Sequence, residues 1–326
     1  MRKKNIVVIG GGTGTFTVLS GLKKYPGNLT AIVAMSDSGG STGMLRDELG
    51  VLPPGDVMRC LVALSSSTKT MRTLMDYRFD SGKLKGHRFG NLLLSALEKT
   101  TGSFDSAIEK ASEILRLDGR VVPVTLDPVH LMAKVGPRIV RGEERIQMTK
   151  LNGSLEYLWL EPVGRPNPKA LAAIRAADAI VIGPGGFYSA LVPNLLVRRI
   201  PETIRKASAK KIFVCNLMTK VEHTKNYSVA DYTTLIEKYL GGPVDMIIYN
   251  NKTPSKQLLK RYAREGDTLT SWQHLPEGRE LIGANLMSKH AYDSNKIGTP
   301  AAEASLVRHD PAALAKIIAR ALKIKD

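Results

Sequence analysis

Three short glycine-rich loops are the parts of this sequence best suited to chemistry on a phosphate group. They occupy residues 10–14, 37–43 and 183–186, and each follows an apolar run. Glycine lets backbone amides approach a phosphate closely, and a helix that begins behind the loop favours negative charge there. One such loop alone could equally be a tight strand-to-helix turn with no ligand. Three of them at predicted strand ends together favour a phosphate-bearing ligand.

The second loop adds a carboxylate to its glycines and hydroxyls. Asp37 could hold Mg²⁺ on a diphosphate, because Mg²⁺ prefers carboxylate oxygens together with phosphate oxygens. Asp37 could instead only cap its own turn, and the sequence leaves both interpretations open. Asp56 precedes a predicted helix and is interpreted first as its N-cap and second as a ligand contact. Arg46 and Arg59 either pair with phosphate or are solvated charges on helix faces.

Several other kinds of site are excluded by the motifs. Gly10 and Gly12 fit the first two glycines of a dinucleotide-binding GxGxxG pattern, but Thr15 occupies the third position. Gly-Lys-Ser/Thr and GxSxG are absent, and the six histidines show no metal-ligand spacing. Neither cysteine has a local nucleophile signature. Any reaction is therefore expected to be phosphoryl transfer by positioning and metal charge.

The loops must be positioned by strands that alternate with helices. The pattern predicts an α/β fold, a Rossmann-like doubly wound and mainly parallel sheet in one domain over residues 1–326, with ligands outside the carboxyl ends of the strands. A last helix is predicted from about residue 311 to 323, with Asp310 as its N-cap. A β-rich and helical subregion is predicted as an insertion at about 120–162, with β-like runs that include residues 145–148. The main strands are predicted at residues 5–9, 29–35, 179–182, 211–215 and 244–249.

Composition sets the expected location and partners. Hydrophobic residues make up 43% of the chain, which is ordinary for a globular protein, and no stretch approaches a membrane span. Two isolated cysteines indicate a reducing compartment, so we expect a cytoplasmic protein. The net charge of +17 is dispersed and comes with no RNA-recognition or helix-turn-helix signature. We therefore expect an anionic small ligand, and expect neither nucleic-acid binding nor membrane insertion.

Five stretches carry a specific resemblance to a known family. The sequence closely resembles the bacterial gluconeogenesis factor (YvcK-like) family, a branch of the 2-phospho-L-lactate transferase (CofD-like) superfamily. The resemblance covers most of the chain from its N-terminus to about Tyr232. The matching stretches are IGGGTGTF, SDSGGSTGMLRDELGVLPPGDVMRCLVAL, GHRFGNLLLSAL, GPGGFYSALVPNLLV and VCNLMTKVEHTKNYSVADY.

The resemblance implies two alternative functions. The gluconeogenesis-factor side implies a cytoplasmic homodimer that binds a nucleotide sugar, expected to be a UDP-sugar, and regulates cell shape and envelope metabolism during gluconeogenic growth. The transferase side moves a phospholactyl-type group from a guanylylated diphosphate to a deazaflavin alcohol with Mg²⁺. Acidic residues at the second strand end are implicated in that reaction, and Asp37 matches them. Ser38 stands where many relatives have a second aspartate, which favours binding over transfer.

The match to the family's strand-end motifs also implies the ligand-binding residues. Asp37 is in addition the candidate metal ligand and the candidate catalytic residue. The expected binding residues are Gly11, Gly12, Thr13, Gly14, Asp37, Ser38, Gly39, Gly40, Ser41, His87, Asn91, Gly183, Gly185, Gly186, Asn216 and Thr219.

Overall fold

The protein, as a computed structural model, is described for residues 2–151, 154–288 and 307–324. Its main sheet has seven parallel strands in the order β10-β9-β8-β7-β1-β2-β3. Three further strands form a separate antiparallel sheet in the order β5-β4-β6. The strands are β1 (Lys4–Gly10), β2 (Gly27–Val33), β3 (Arg120–Pro123), β4 (His130–Val135), β5 (Arg138–Arg141), β6 (Leu155–Glu161), β7 (Ala179–Ile182), β8 (Lys210–Val214), β9 (Met246–Asn250) and β10 (Glu280–Ala284).

Helices cover the main sheet and connect its parallel strands. The residues 187–191 form a π-helical turn that leads directly into α9. The helices are α1 (Gly12–Leu22), α2 (Gly40–Leu49), α3 (Gly55–Leu64), α4 (Lys69–Asp76), α5 (Phe89–Thr101), α6 (Phe104–Leu115), α7 (Glu143–Met148), α8 (Pro168–Arg175), α9 (Val192–Leu196), α10 (Ile200–Lys206), α11 (Val229–Leu240), α12 (Lys256–Glu265) and α13 (Pro311–Ala321).

Strand β1 is an interior strand of the sheet and, with β7, marks the point where the strand order reverses. It pairs with β2 on one side and with β7 on the other, both in parallel. Its residues Val8 and Ile9 are fully buried, as expected for a strand covered on both faces. The predicted α/β doubly wound fold is thereby confirmed. In such sheets a crevice opens outside the carboxyl ends of the strands at the reversal point.

The subregion differs from its prediction in two places. Arg120–Pro123 pairs in parallel with β2, so this strand belongs to the main sheet and the antiparallel strands begin at His130. The prediction of a β-like run at residues 145–148 was wrong, because these residues lie in helix α7. Glu143 and Glu144 fill the first turn of α7, where acidic side chains stabilise a helix N-terminus. Short apolar runs do not by themselves distinguish strand from helix.

The C-terminal helix forms as predicted. The Asp310 side chain accepts hydrogen bonds from the N–H groups of Ala312 and Ala313 at 2.8 and 2.9 Å, which confirms Asp310 as the N-cap. Helix α13 packs on α1, where Gly21 approaches the Pro311 carbonyl so closely that a side chain would not fit. None of the helices in the described ranges has the length and apolarity that a bilayer crossing requires. His290 lies outside the described residues.

Candidate functional site

Two helices begin at the carboxyl edge of the sheet directly behind the predicted loops. Gly11 is the N-cap of α1 and Gly39 is the N-cap of α2, and both adopt extended backbone. Glycine has no side chain with which to cap a helix, so the first N–H groups depend on other parts of the chain or on a ligand for hydrogen-bond partners. The edge between β1 and β2 therefore presents two positive helix ends.

The first and third loops are packed directly against each other. A side chain at Gly14 would collide with the carbonyl oxygen of Pro184 and would lie 3.0 Å from Gly185 Cα. Only glycine permits this approach of two backbones. The Gly183–Pro184 peptide bond is cis. The loops after β1 and β7 therefore form one unit at the reversal point of the sheet.

Two asparagines, Asn216 and Asn194, hydrogen-bond the backbone of this unit. Asn216, which follows β8, accepts a hydrogen bond from the Gly185 N–H at 3.2 Å and donates to the Gly185 carbonyl at 2.9 Å. The fully buried Asn194 of α9 donates to the Gly10 carbonyl at 3.1 Å and to the Ala190 carbonyl at 2.7 Å. Asn194 was missed by the sequence analysis, because a buried asparagine inside an apolar helix carries no recognisable motif.

Asp37 caps the turn of the second loop. Its Oδ1 accepts a hydrogen bond from the Gly39 N–H at 3.0 Å, which is the turn-capping role that the sequence allowed. Its Oδ2 lies beside Gly55, at 2.9 Å from the position that a Cβ would take there. The carboxylate therefore spans the space between the second loop and the start of α3. A metal role for Asp37 stays a prediction.

Asp56 is part of the site, but not as a helix cap. The N-cap of α3 is Pro54, and Asp56 lies inside the first turn, so the prediction of an N-cap at Asp56 was wrong. The reason is that the helix begins at Gly55, two residues earlier than an N-cap at Asp56 requires. The Asp56 carboxylate lies against the first loop, where a Cβ at Gly11 would collide with its Oδ2. The Asp56 carboxylate, on helix α3, is therefore the second carboxylate of the site and lies next to the β1 loop.

Helix α7 of the subregion supplies a third carboxylate, Glu143, which the sequence analysis missed. Its side chain is only 6% exposed. Burial raises the pKa of Glu143 well above its usual range, and the negative charges of Asp37 and Asp56 raise it further. The three carboxylates come from three separate segments and meet over the same edge. The signal that could have identified Glu143 was the acid pair at 143–144 directly after Gly142, which is typical of a helix start.

The start of α7 is docked onto the second loop through Glu144. The Glu144 N–H donates to the Ser38 hydroxyl at 3.2 Å. The Glu144 Oε1 accepts from the Gly40 N–H at 3.4 Å. Ser38 therefore contacts the subregion. Through α7 the subregion is in contact with the second loop, for which ligand binding stays a prediction.

A buried polar group lies behind the second loop. Ser41 and His87 are both buried, and the Ser41 hydroxyl lies 3.2 Å from His87 Nδ1. Asn91 of α5 is 4% exposed, and its Oδ1 has no hydrogen-bond partner among the described residues. Ser41 lies in the first turn of α2, within the second loop, and His87 contacts Ser41.

Arg46 is buried and donates a hydrogen bond to the Val129 carbonyl at 2.7 Å. Desolvation by burial lowers its pKa. Arg46 is thus not a solvated charge, and its interaction with Asp37 places it near the second loop.

Thr219 is not brought into the crevice. It is fully buried, and its hydroxyl pairs with the Thr268 hydroxyl at 2.8 Å. The Thr268 N–H also donates to it at 3.1 Å. The remaining predicted residues of the three loops lie at the carboxyl edge, on β1–α1, β2–α2 and the turn after β7. These are Gly11, Gly12, Thr13, Gly14, Asp37, Ser38, Gly39, Gly40, Ser41, Gly183, Gly185 and Gly186.

The donor set fits a hard cation shared with a ligand. In the described part of the chain, no group of three or more histidine, cysteine, aspartate and glutamate side chains is arranged to hold a metal by itself. Asp37 and Asp56 would supply one or two carboxylates, which is how Mg²⁺ is held when phosphates provide further oxygens. Nucleophilic chemistry by a thiol does not fit the site, because burial raises the pKa of both Cys60 and Cys215.

The comparisons with known proteins agree with this architecture. The family model of the 2-phospho-L-lactate transferase CofD matches residues 6–289. The gluconeogenesis factor of Bacillus subtilis is 39% identical over 81% of this chain and 84% of its own length. A protein of Aquifex aeolicus is 39% identical over 99% of this chain and 98% of its own.

A solved structure shows the same fold over nearly the whole chain. It is the crystal structure of a UPF0052 family member from Bacillus halodurans, with a TM-score of 0.87 and 35% identity. The similarity covers 98% of this chain and 99% of that one. The chain therefore belongs to the CofD family and, within it, to the gluconeogenesis factors.

Proposed function

We propose that this protein binds the diphosphate of a nucleotide sugar, specifically a UDP-sugar, at the carboxyl edge of its main sheet. One observation carries the proposal. The β1 and β7 loops pack closely at Gly14 and Pro184, where the strand order reverses, and Asn216 hydrogen-bonds Gly185 beside them. A pre-formed backbone surface beside a helix N-terminus suits a phosphate group and needs little reorganisation to bind one.

The charges of the site support a cation accompanying the ligand. Burial raises the Glu143 pKa, and the negative charges of Asp37 and Asp56 raise it further. A diphosphate would add further negative charge to the same space. Mg²⁺ bound by Asp37 and Asp56 would neutralise part of that charge and orient the phosphate oxygens. Burial and the charges of Asp37 and Asp56 raise the pKa of Glu143, so this side chain would add less negative charge than a solvated glutamate.

The biological role that we propose is based on the relatives of this chain. Proteins named gluconeogenesis factor match this chain along most of its length. We propose that ligand binding makes the protein a cytoplasmic regulator of cell shape and envelope metabolism during growth on non-sugar carbon. The docking of α7 on the second loop offers a route by which bound ligand alters the subregion. A second copy of the chain, as a homodimer, is part of the same proposal.

A thermal-shift screen of nucleotides tests the proposal. UDP-glucose, UDP-N-acetylglucosamine, UDP and GDP are each added with and without Mg²⁺. A ligand at about 100 times its dissociation constant stabilises the fold by roughly 2.7 kcal/mol. We expect the UDP-sugars to raise the melting temperature most. If no uridine compound changes it at millimolar concentration, the proposal fails.

The alternative is a transferase of the 2-phospho-L-lactate type, and the carboxylates favour it. A buried Glu143 with a raised pKa can hold a proton at the edge where an acceptor hydroxyl would react. The assay is release of GMP from a guanylylated phospholactate diphosphate with Mg²⁺ and a deazaflavin alcohol. Asp37→Asn is expected to abolish it, whereas Asp47→Asn, an exposed change on α2, serves as the control. Absence of GMP release by the parent protein excludes this alternative.

A further inference from the structure

A second cleft lies at the opposite end of the main sheet. It has a volume of about 810 Å³ and is formed by the first residues of β1, β2 and β3 together with one side of α8. Strand β1 contains seven residues, so the cleft lies roughly 20 Å from the glycine loops at about 3.3 Å per residue. The nucleotide chemistry proposed above does not use this end of the molecule.

The floor of the cleft is apolar and is formed by strands of the main sheet and by helix α8. It includes Val7, Leu29 and Val122, all of them buried strand residues, and the small side chains Ala172 and Ala173 of α8. Small residues on the helix leave the space that a larger side chain would fill. The three strand residues are almost fully covered, so an organic body would contact the floor chiefly at Ala172 and Ala173. The volume suits such a body, since ligand sites usually occupy about 300–1,000 Å³.

The rim of the cleft carries an excess of positive charge. Lys3, Lys23, Arg120 and Lys169 line it, against the single acid Asp118. These cations come from four separate segments of the chain, namely the residues before β1, the end of α1, β3 and α8, and are not a run along one helix face.

Two of the cations have partners inside the protein. The Lys23 ammonium donates to the Ser65 carbonyl at 3.2 Å, and desolvation lowers its pKa. Lys169 is paired with Asp105 at 2.5 Å and with Glu109 at 2.7 Å. Lys3, Arg120 and Lys169 are exposed, and Lys23 is half-buried. The lining therefore keeps a net positive charge beside an apolar floor.

An ordered amide pair supplies hydrogen-bonding groups between floor and rim. Asn28 Nδ2 donates to Asn5 Oδ1 at 2.9 Å, and Asn5 Nδ2 donates to the Ala176 carbonyl at 2.9 Å. This chain of hydrogen bonds fixes both amides across the mouth of the cleft. The combination of a hydrogen-bonded polar pair, apolar lining and several cations is typical of a small-molecule site.

We infer that this cleft binds a small organic anion whose phosphate or carboxylate head lies at Lys23 and Arg120 and whose apolar body lies on the floor. Arg120 offers a planar fork that matches either head group, and Lys23 adds a second charge from the end of α1. The inference is independent of the nucleotide proposal, because the two sites share no residues.

Three probes separate the contributions that the anionic head and the apolar body of the ligand make to binding. Phenyl phosphate, benzoate and inorganic phosphate are titrated against the full chain and followed by thermal shift. We expect an aromatic probe to bind at least tenfold more tightly than inorganic phosphate, because only the aromatic probes cover the floor. Phenyl phosphate binding more tightly than benzoate assigns the head group as a phosphate, and the reverse order assigns a carboxylate. If inorganic phosphate binds as tightly as both aromatic probes, the role of the floor is overturned.

A matched pair of double variants locates the binding. Lys23→Gln with Arg120→Gln is expected to weaken the tighter aromatic probe at least tenfold. Lys24→Gln with Arg175→Gln removes the same charge from exposed positions outside the cleft and is expected to leave binding unchanged. Equal weakening in both double variants would show a general charge effect and overturn the inference.

Lysine acetylation followed by mass spectrometry gives a measurement on the unaltered protein. Saturating phenyl phosphate is expected to slow acetylation of Lys3 and Lys23 several-fold and to leave Lys24 unaffected. Loss of folding in a variant does not affect this readout. Unchanged acetylation of Lys3 and Lys23 in the presence of bound probe would place the probe elsewhere and refute the site.

Discussion

Replacing Asn216 by alanine is the sharpest perturbation of the interlocked loops. Asn216 makes two hydrogen bonds to the backbone of Gly185, at 3.2 and 2.9 Å. A net hydrogen bond contributes about 0.5–1.5 kcal/mol, so the variant should lose about 1–3 kcal/mol of unfolding free energy. Gly185 and Asn216 are half-buried, so water partly replaces the lost bonds and the lower half of that range is expected.

Urea denaturation followed by circular dichroism measures this loss as a shift of the midpoint at unchanged slope. Asn28→Ala is the matched control, because it removes one exposed side-chain hydrogen bond at the other end of the sheet. Its effect is expected within about 0.5 kcal/mol. The Asn216 variant should also weaken UDP-sugar binding, since the β7 loop would no longer be fixed. A stability change no larger than that of Asn28→Ala would refute the clamp.

Three further changes test other parts of the site. Folding raises the Glu143 pKa, so the folded state holds this proton more tightly and stability falls as pH rises from the ordinary glutamate pKa through the raised one. Glu143→Gln should remove that fall, and a pH series of urea midpoints that runs parallel for both proteins would contradict it. Gly14→Ala should cost about 1–3 kcal/mol by overpacking against the Pro184 carbonyl, and an unchanged melting temperature would exclude the close approach. Cys60 and Cys215 are buried with raised pKa values, so a thiol reagent at pH 8 should label them only after denaturation, and rapid labelling of the native protein would contradict their burial.

The sequence predicted the sheet and its ligand edge because those features are locally encoded. The apolar run before Gly10, the glycines behind it and the Asp310 cap each depend on neighbouring residues only. Parallel strands bring their carboxyl ends together, so the meeting of the loops followed from the topology. The family resemblance added the residue assignments at those loops.

What the sequence did not reveal depends on contacts between distant segments. Glu143 lies more than 80 residues from Asp37 and Asp56 in the chain, and only the packing of α7 on the second loop brings it to the site. In the sequence, Asn194 is surrounded by apolar helix residues and carries no motif. Its hydrogen bond to the Gly10 carbonyl at the end of β1 is visible only in the structure. Asp56 has the residue type of a cap, and its contact with Gly11 needs the three-dimensional arrangement of α3.

Hydrogen–deuterium exchange with a bound UDP-sugar tests the central claim most directly, because it reports where the ligand binds. The account predicts slower amide exchange in peptides covering residues 10–15, 36–43 and 183–190, with Mg²⁺ present. Peptides at the amino edge of the sheet, covering residues 27–30 and 118–122, should be unaffected. Protection confined to that amino edge, or bound ligand with no protection in the three loops, would contradict the account.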